Sequence, residues 1–222
     1  MTLEQLIAEG ERLAIPCLLL TDQPNDDGIV AYWGGCGPEG ALPGQVRDTK
    51  HWITVACDWH TQNGGKVQGC LSVFERKSGS GGEIPHGLAV YDPTINLAEF
   101  PLSGTPLYGV EALSFPPLPA VCLYGEQDVV SWLLSIGMTR YDYHHAFFSE
   151  LGRSYEQEWL KRSPWLSESY YAVMGGWHVL WPEDDFYMPP EMNLMLWTFQ
   201  DSEPWVEVWE RLPNFRVCFR TT

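Results

Sequence analysis

What this chain has little of is positive charge. Thirteen Lys and Arg stand against 29 Asp and Glu, for a formal net charge of −16. Between Ser163 and Glu210 there is no Lys or Arg, yet Glu168, Glu183, Asp184, Asp185, Glu191, Asp201, Glu203, Glu207 and Glu210 all fall there. A phosphate backbone rewards clustered cations, so the deficit speaks against nucleic acid as a partner. It also disfavours an anionic membrane surface.

Other absences narrow the class further. No apolar run approaches the roughly 20 residues that span a bilayer. The opening Met1-Thr2-Leu3-Glu4-Gln5 has no basic n-region and no apolar h-region, so no signal peptide is expected. There is no Cys-x-x-Cys, no His-Glu-x-x-His and no Gly-x-Ser-x-Gly. Cysteines stand at 17, 36, 57, 70, 122 and 218, and all but Cys36 lie in apolar, strand-like runs. They are expected to be reduced core residues of a cytoplasmic protein.

What is abundant is Trp, 11 in all. Trp165, Trp177, Trp181, Trp197, Trp205 and Trp209 share the cation-free stretch. Most should be core, because large aromatics dominate burial.

Periodicity and turn chemistry give a coarse order of elements. Thr2 caps a first helix whose apolar face is Leu3, Leu6, Ile7 and Leu13, and Ile15-Pro16 ends it. Cys17 to Thr21 and Ile29 to Trp33 read as a hairpin, joined by the turn-rich residues 22–28. Strands over His51–Cys57, Val67–Glu75 and Gly87–Tyr91 continue an antiparallel meander. Asp92 to Pro119 carries no clear pattern, and Phe115-Pro116-Pro117-Leu118-Pro119 is the best boundary candidate. Ala120 to Tyr124 reads as a buried strand. Helices follow at Glu126–Ile136, stopped by Gly137, and at Ser149–Arg162. The C-terminus reads as three strands, Leu194–Gln200, Trp205–Arg211 and Phe215–Arg220. Minimal turns would set Gln200 opposite Trp205 and Glu210 opposite Arg216, and a one-residue slip would reassign the faces.

Five constellations deserve chemical scrutiny, and each has a plain structural reading beside it. Gly35-Cys36-Gly37-Pro38-Glu39-Gly40 fits G-x-G-x-x-G, but Ala41-Leu42-Pro43-Gly44 follows where a phosphate-binding helix should open. It reads as a glycine-rich turn, with no cofactor. His144-His145, near Asp142 and Glu150, lacks the spacing of a metal site. Cys57-Asp58-Trp59-His60 holds a thiol, a carboxylate and an imidazole, but sequence neighbours at a strand end rarely reach one another. Asp22, Asn25, Asp26 and Asp27 miss the EF-hand spacing and read as an Asx-rich turn. Plentiful Glu and Trp suit glycoside hydrolysis only if two carboxylates flank one cleft.

The residue set with the best claim to function is Trp181, Glu183, Asp184, Asp185, Phe186 and Tyr187. Adjacent carboxylates between aromatic anchors suit a partner rich in Lys and Arg. The expected fold is α+β: mostly antiparallel sheet, about three helices and a C-terminal three-stranded meander. One compact unit of two packed halves is expected, residues 1–118 and 119–222. The expected function is protein–protein interaction, most concretely an immunity-type inhibitor of a basic toxin. A hydrolase, or a small-ligand or carbohydrate-binding protein, is the alternative. No metal or cofactor is expected.

Overall fold

A computed structural model describes residues 1–38, 49–62, 69–76, 87–97, 103–140, 143–163, 170–177, 193–198, 205–211 and 214–220. Helix α1 (Leu3–Leu13) begins with a capping box. The Thr2 hydroxyl accepts the Gln5 N–H, and the Gln5 side chain accepts the Thr2 N–H at 2.8 Å. Then come β1 (Ile15–Thr21), β2 (Ile29–Trp33), β3 (Thr49–Ala56), a short α2 (Asp58–Gln62), β4 (Cys70–Arg76), β5 (Gly87–Asp92) and β6 (Thr105–Ser114). Four helices follow: α3 (Leu118–Tyr124), α4 (Gln127–Ser135), α5 (Tyr143–Ala146) and α6 (Glu150–Lys161). Strands β7 (Ala172–Gly175), β8 (Asn193–Thr198), β9 (Trp205–Arg211) and β10 (Asn214–Arg220) complete the chain. The fold is α+β. No helix among the described residues is long and apolar enough to cross a membrane.

The chain forms two interleaved units. One comprises Met1–Cys17, Ala112–Ser167 and Gly176–Pro189; the other comprises Leu18–Glu111, Glu168–Gly175 and Pro190–Thr222.

The second unit holds most of the sheet, whose strand order is β10-β9-β8-β7-β1-β6-β2-β3-β4-β5. The expected first meander is present, with β2, β3, β4 and β5 paired antiparallel in sequence order. The expected C-terminal meander is also present, with β8, β9 and β10 antiparallel and β7 added to it. Both belong to one sheet. It curls until Cα atoms of β5 and β10 come within 8 Å. Leu18, Leu20, Ala31, Ile53, Val55, Leu71, Val73 and Leu107 form its buried apolar core.

Three expectations about strands are corrected. First, β1 and β2 do not pair as a hairpin, because β6 lies between them. Antiparallel pairing of β2 with β6 sets Tyr32 opposite Pro106 and Trp33 opposite Thr105. Second, the stretch read as unpatterned contains β6, a strand of 10 residues. Pro106 near its start and Gly109 within it mask the alternation. Third, Glu210 stands opposite Phe215, and Arg216 opposite Trp209. That is one residue away from the register that minimal turns imply. β8 carries an irregularity between Leu194 and Leu196, so its register shifts along the strand.

The helical unit corrects a fourth expectation. Ala120–Tyr124 is helical, within α3. Pro117 is its N-cap and Pro119 lies in the first turn, where a missing N–H costs nothing. Leu118, Ala120, Val121 and Cys122 are all buried, and an apolar run buried all round carries no period that separates helix from strand. The three expected helices are present as α1, α4 and α6, and the short α2 and α5 were not expected. Gly137 (φ 77) closes α4, with Gly137 N–H donating to Leu134 O and Met138 N–H to Leu133 O. The Ser149 hydroxyl accepts the Gly152 N–H at the start of α6. Of the apolar residues of α6, Tyr155 and Trp159 are buried while Leu160 is half exposed.

Those two aromatics organise the helical unit. Phe115, Pro116 and Pro117 precede α3 and are buried, and the two prolines bring no N–H to any ladder. The Tyr155 hydroxyl donates to Pro116 O at 2.9 Å, and Trp159 Nε1–H donates to Phe115 O at 3.1 Å. The Phe115 and Tyr155 rings stack at 5.6 Å. Gly10 of α1 lies beneath them, where a Cβ would sit 2.5 Å from the tip of the Phe115 ring. A side chain at position 10 therefore meets a filled space. Gly10→Ala should destabilise the protein by about 1–3 kcal/mol through overpacking, outweighing the helix propensity of about 1 kcal/mol that alanine brings. Urea midpoints check this, and the loss should shrink in a Phe115→Leu background.

Candidate functional site

Residues of α2 line two clefts in the second unit. The first, of about 560 Å³, is bordered by Asp58 and Gln62 together with Cys70, Thr94, Asn96 and Leu97. One wall is a fixed turn. Thr94 donates its N–H (2.8 Å) and its hydroxyl (2.6 Å) to the same Asp92 oxygen. Those bonds, the hydroxyl's first, hold the Asp92 carboxyl below the usual carboxylate range. Cys70 Sγ donates to Ile95 O at 3.3 Å. Burial pushes its thiol up to about 11, so it stays protonated at neutral pH and is a poor nucleophile.

The second cleft, of about 670 Å³, brings Trp59 and Gln62 from α2 together with Asn25, Asp27 and Glu111. Leu18, Val30 and Val110 supply its apolar wall. The polar side chains are held by local chemistry. Asn25 Nδ2 donates to Gly109 O at 2.7 Å, and its Oδ1 accepts the Asp27 N–H at 3.0 Å. The loop after β1 is thus an Asx turn pinned to β6. Trp59 Nε1–H donates to Glu111 Oε1 at 3.2 Å, which orients the indole beside that carboxylate. Gly109 lets β6 approach, since a Cβ there would lie 2.8 Å from a Leu18 methyl. The described lining of this cleft offers carboxylates, amides and an indole, and no Lys or Arg. Such a surface receives donors and cations.

The glycine motif becomes a tied turn. Gly34, Gly35 and Gly37 all take positive φ, and Cys36 N–H donates to Ser103 Oγ at 2.9 Å. A side chain on Gly35 would run into the Ser103 carbonyl. Residues 39 and 40 of the motif lie outside the described residues. The Asp22–Asp27 cluster is the Asx turn just described. His144 and His145 both lie on α5, and His145 is exposed with its ring 6.4 Å from that of Phe148. In Cys57-Asp58-Trp59-His60 the thiol is fully buried, the carboxylate is exposed on the first cleft and the imidazole is buried. The carboxylate thus faces the cleft while the thiol and the imidazole are both buried. Among the described residues no three His, Cys, Asp or Glu converge to hold a metal ion.

Trp181, Glu183, Asp184, Asp185, Phe186 and Tyr187 lie outside the described residues. Trp177 of the same cation-free stretch serves the helical unit. Its Nε1–H donates to Leu13 O and its backbone N–H to Ser114 Oγ, both at 2.8 Å.

Trp59, Asp27 and Glu111 escaped sequence reasoning as a set. Asp27 was legible as turn chemistry and Trp59 as a strand-end aromatic, but Glu111 lies on the strand that sequence reading missed. The short apolar run Leu107-Tyr108-Gly109-Val110, just before Glu111, was the available signal. No protein-family model matches the chain, and no curated protein matches it significantly.

Burial divides the cysteines sharply. Among the described cysteines, Cys17, Cys57, Cys70 and Cys122 are buried thiols, and Cys36 is an exposed one. Burial pushes the Cys17 and Cys122 thiols up to about 12. Under native conditions iodoacetamide should label Cys36 well before any of those four, which should react only after denaturation. Peptide mapping by mass spectrometry checks this order.

Proposed function

We propose that the protein acts by binding a basic partner protein in the cytoplasm, most concretely as an immunity-type inhibitor that holds a cationic toxin enzyme in check. The observation that supports this best is the second cleft. Asp27 and Glu111 stand there beside Trp59, with no Lys or Arg in the described lining, on a chain of net charge −16. A guanidinium or ammonium entering it meets carboxylates beside an indole, and a cation–π contact there would be worth about 0.5–2 kcal/mol. The whole-chain field adds speed, because complementary charge steers encounter. The acidic aromatic segment Trp181–Tyr187 is a second contact for the same partner under this reading.

A second reading has its own support. A volume of about 670 Å³ falls within the range of roughly 300–1,000 Å³ typical of small-ligand sites. Two carboxylates and a tryptophan around it suit a carbohydrate, bound or hydrolysed.

A pull-down at low and high salt, read by mass spectrometry, separates these readings. One dominant basic protein, lost at high salt, is the expected result. Its association with two paired variants should then be timed: Asp27→Lys with Glu111→Lys, and Asp184→Lys with Asp185→Lys. Each pair should slow association by roughly tenfold at low salt and by less at high salt. Unchanged association at low salt in both variants would sink the proposal. Thermal stabilisation by a soluble sugar, with no protein captured, would favour the second reading.

A further inference from the structure

His51 is a buried imidazole with a partner at each ring nitrogen, and those partners fix its protonation. It lies on β3 with 6% of its surface exposed. Nδ1 lies 2.6 Å from Gly34 O, and Nε2 lies 2.8 Å from Thr54 Oγ1. Thr54 Oγ1 lies 2.8 Å from Ser72 Oγ. A carbonyl only accepts, so Nδ1 carries the proton. A neutral ring has one N–H, so Nε2 accepts from the Thr54 hydroxyl. That hydroxyl in turn accepts from Ser72. The irregularity between His51 and Ile53 in the pairing of β3 with β4 brings positions 51 and 54 to the same side.

The surroundings favour the neutral ring. The Phe74 ring lies 5.2 Å away, and Gly37 packs on the imidazole, where a Cβ would sit 3.1 Å from it. Lys50 and Glu75 are the charged neighbours on β3 and β4, and they pair with each other in register. Each is adjacent in sequence to a residue of the His51–Phe74 pair, so each projects from the opposite face of the sheet. Lys50 lies over the Trp52 ring there, at 4.6 Å. Cys36, the titratable group of the neighbouring turn, is exposed. Among the described residues no carboxylate faces the imidazole.

We propose that His51 is an acid-released latch on the turn Gly34–Gly37: the neutral ring holds the turn to the sheet, and the protonated ring lets it go. Protonation would force Nε2 to donate, turn both hydroxyls round, and leave Ser72 needing a new acceptor. It would also place a charge against Phe74 with no counter-ion. Opening the turn to water relieves both costs. Burial already holds the His51 pKa below its ordinary value, against the pull of the Gly34 and Ile53 carbonyls, which both favour the protonated ring. With the folded value depressed, the latch is at full strength above about pH 6.5, the ordinary value for histidine. It is lost as pH falls from there toward the folded value, because the open state then binds the extra proton. This device is independent of the partner proposed above.

Hydrogen exchange of the 34–38 backbone, corrected for intrinsic rates, tests it between pH 7.5 and 5. Protection should fall by up to tenfold per pH unit below about 6.5, and His51→Gln should flatten the dependence. If that variant fails to fold, NMR titration of wild-type histidines serves instead. One imidazole should titrate below the rest, and its midpoint should coincide with the loss of protection. Protection that is flat with pH, or that falls equally in His51→Gln, overturns the latch. So does a His51 titration at or above the ordinary value.

Discussion

Everything in the second unit depends on β6 entering between β1 and β2. The meander β2 to β5 and the meander β7 to β10 are each built from strands that follow one another in sequence. Such pairings close short loops and cost little entropy. Joining them requires β1 beside β7 and β6 beside β1, pairings that close far longer loops. Leu18, Leu20 and Leu107, from β1 and β6, belong to the same buried core as the meander residues Ile53 and Val73. The core is therefore incomplete until the distant strands arrive. The second cleft inherits that dependence. Asn25 and Asp27 follow β1, Trp59 follows β3, and Glu111 lies on β6; only the inserted strand gathers them.

The helical unit solves a different problem. A segment with two consecutive prolines cannot join a ladder, and burying it strands its carbonyls. Tyr155 and Trp159 supply the missing donors from one helix, four residues apart on one face. Each also fills volume, so the same side chains serve packing and polar satisfaction. The absence of a side chain at Gly10 completes the arrangement, because stacked rings leave no room above α1.

What the sequence made legible was local. The Thr2 cap and the Gly137 stop each rest on a residue whose preference is strong, and the helices they bound are present. What escaped was either non-local or degenerate. Ala120–Tyr124 has no polar residue to report a period, so strand and helix looked alike. β6 was hidden by Pro106 and by the glycine that lets it pack on Leu18. The register of β9 on β10 turned on a single residue in a loop, which no pattern of apolar side chains could fix, since both faces are apolar. The cleft was illegible for the same reason as β6: Trp59 and Glu111 are 52 positions apart, and nothing in either residue names the other.

The closeness of β5 and β10 has a bearing on how the chain is made. An open strand edge is a template for another chain, and long sheets carry two of them. Here the strand that comes to lie against β5 is β10, which is synthesised long after it. Until residue 220 has left the ribosome, the first meander waits with one flank unshielded. Neighbouring nascent chains on one message carry the same flank at the same time. Their shared negative charge sets mutual repulsion against strand pairing in that interval, so the acidity of the chain has a use while the sheet is unfinished.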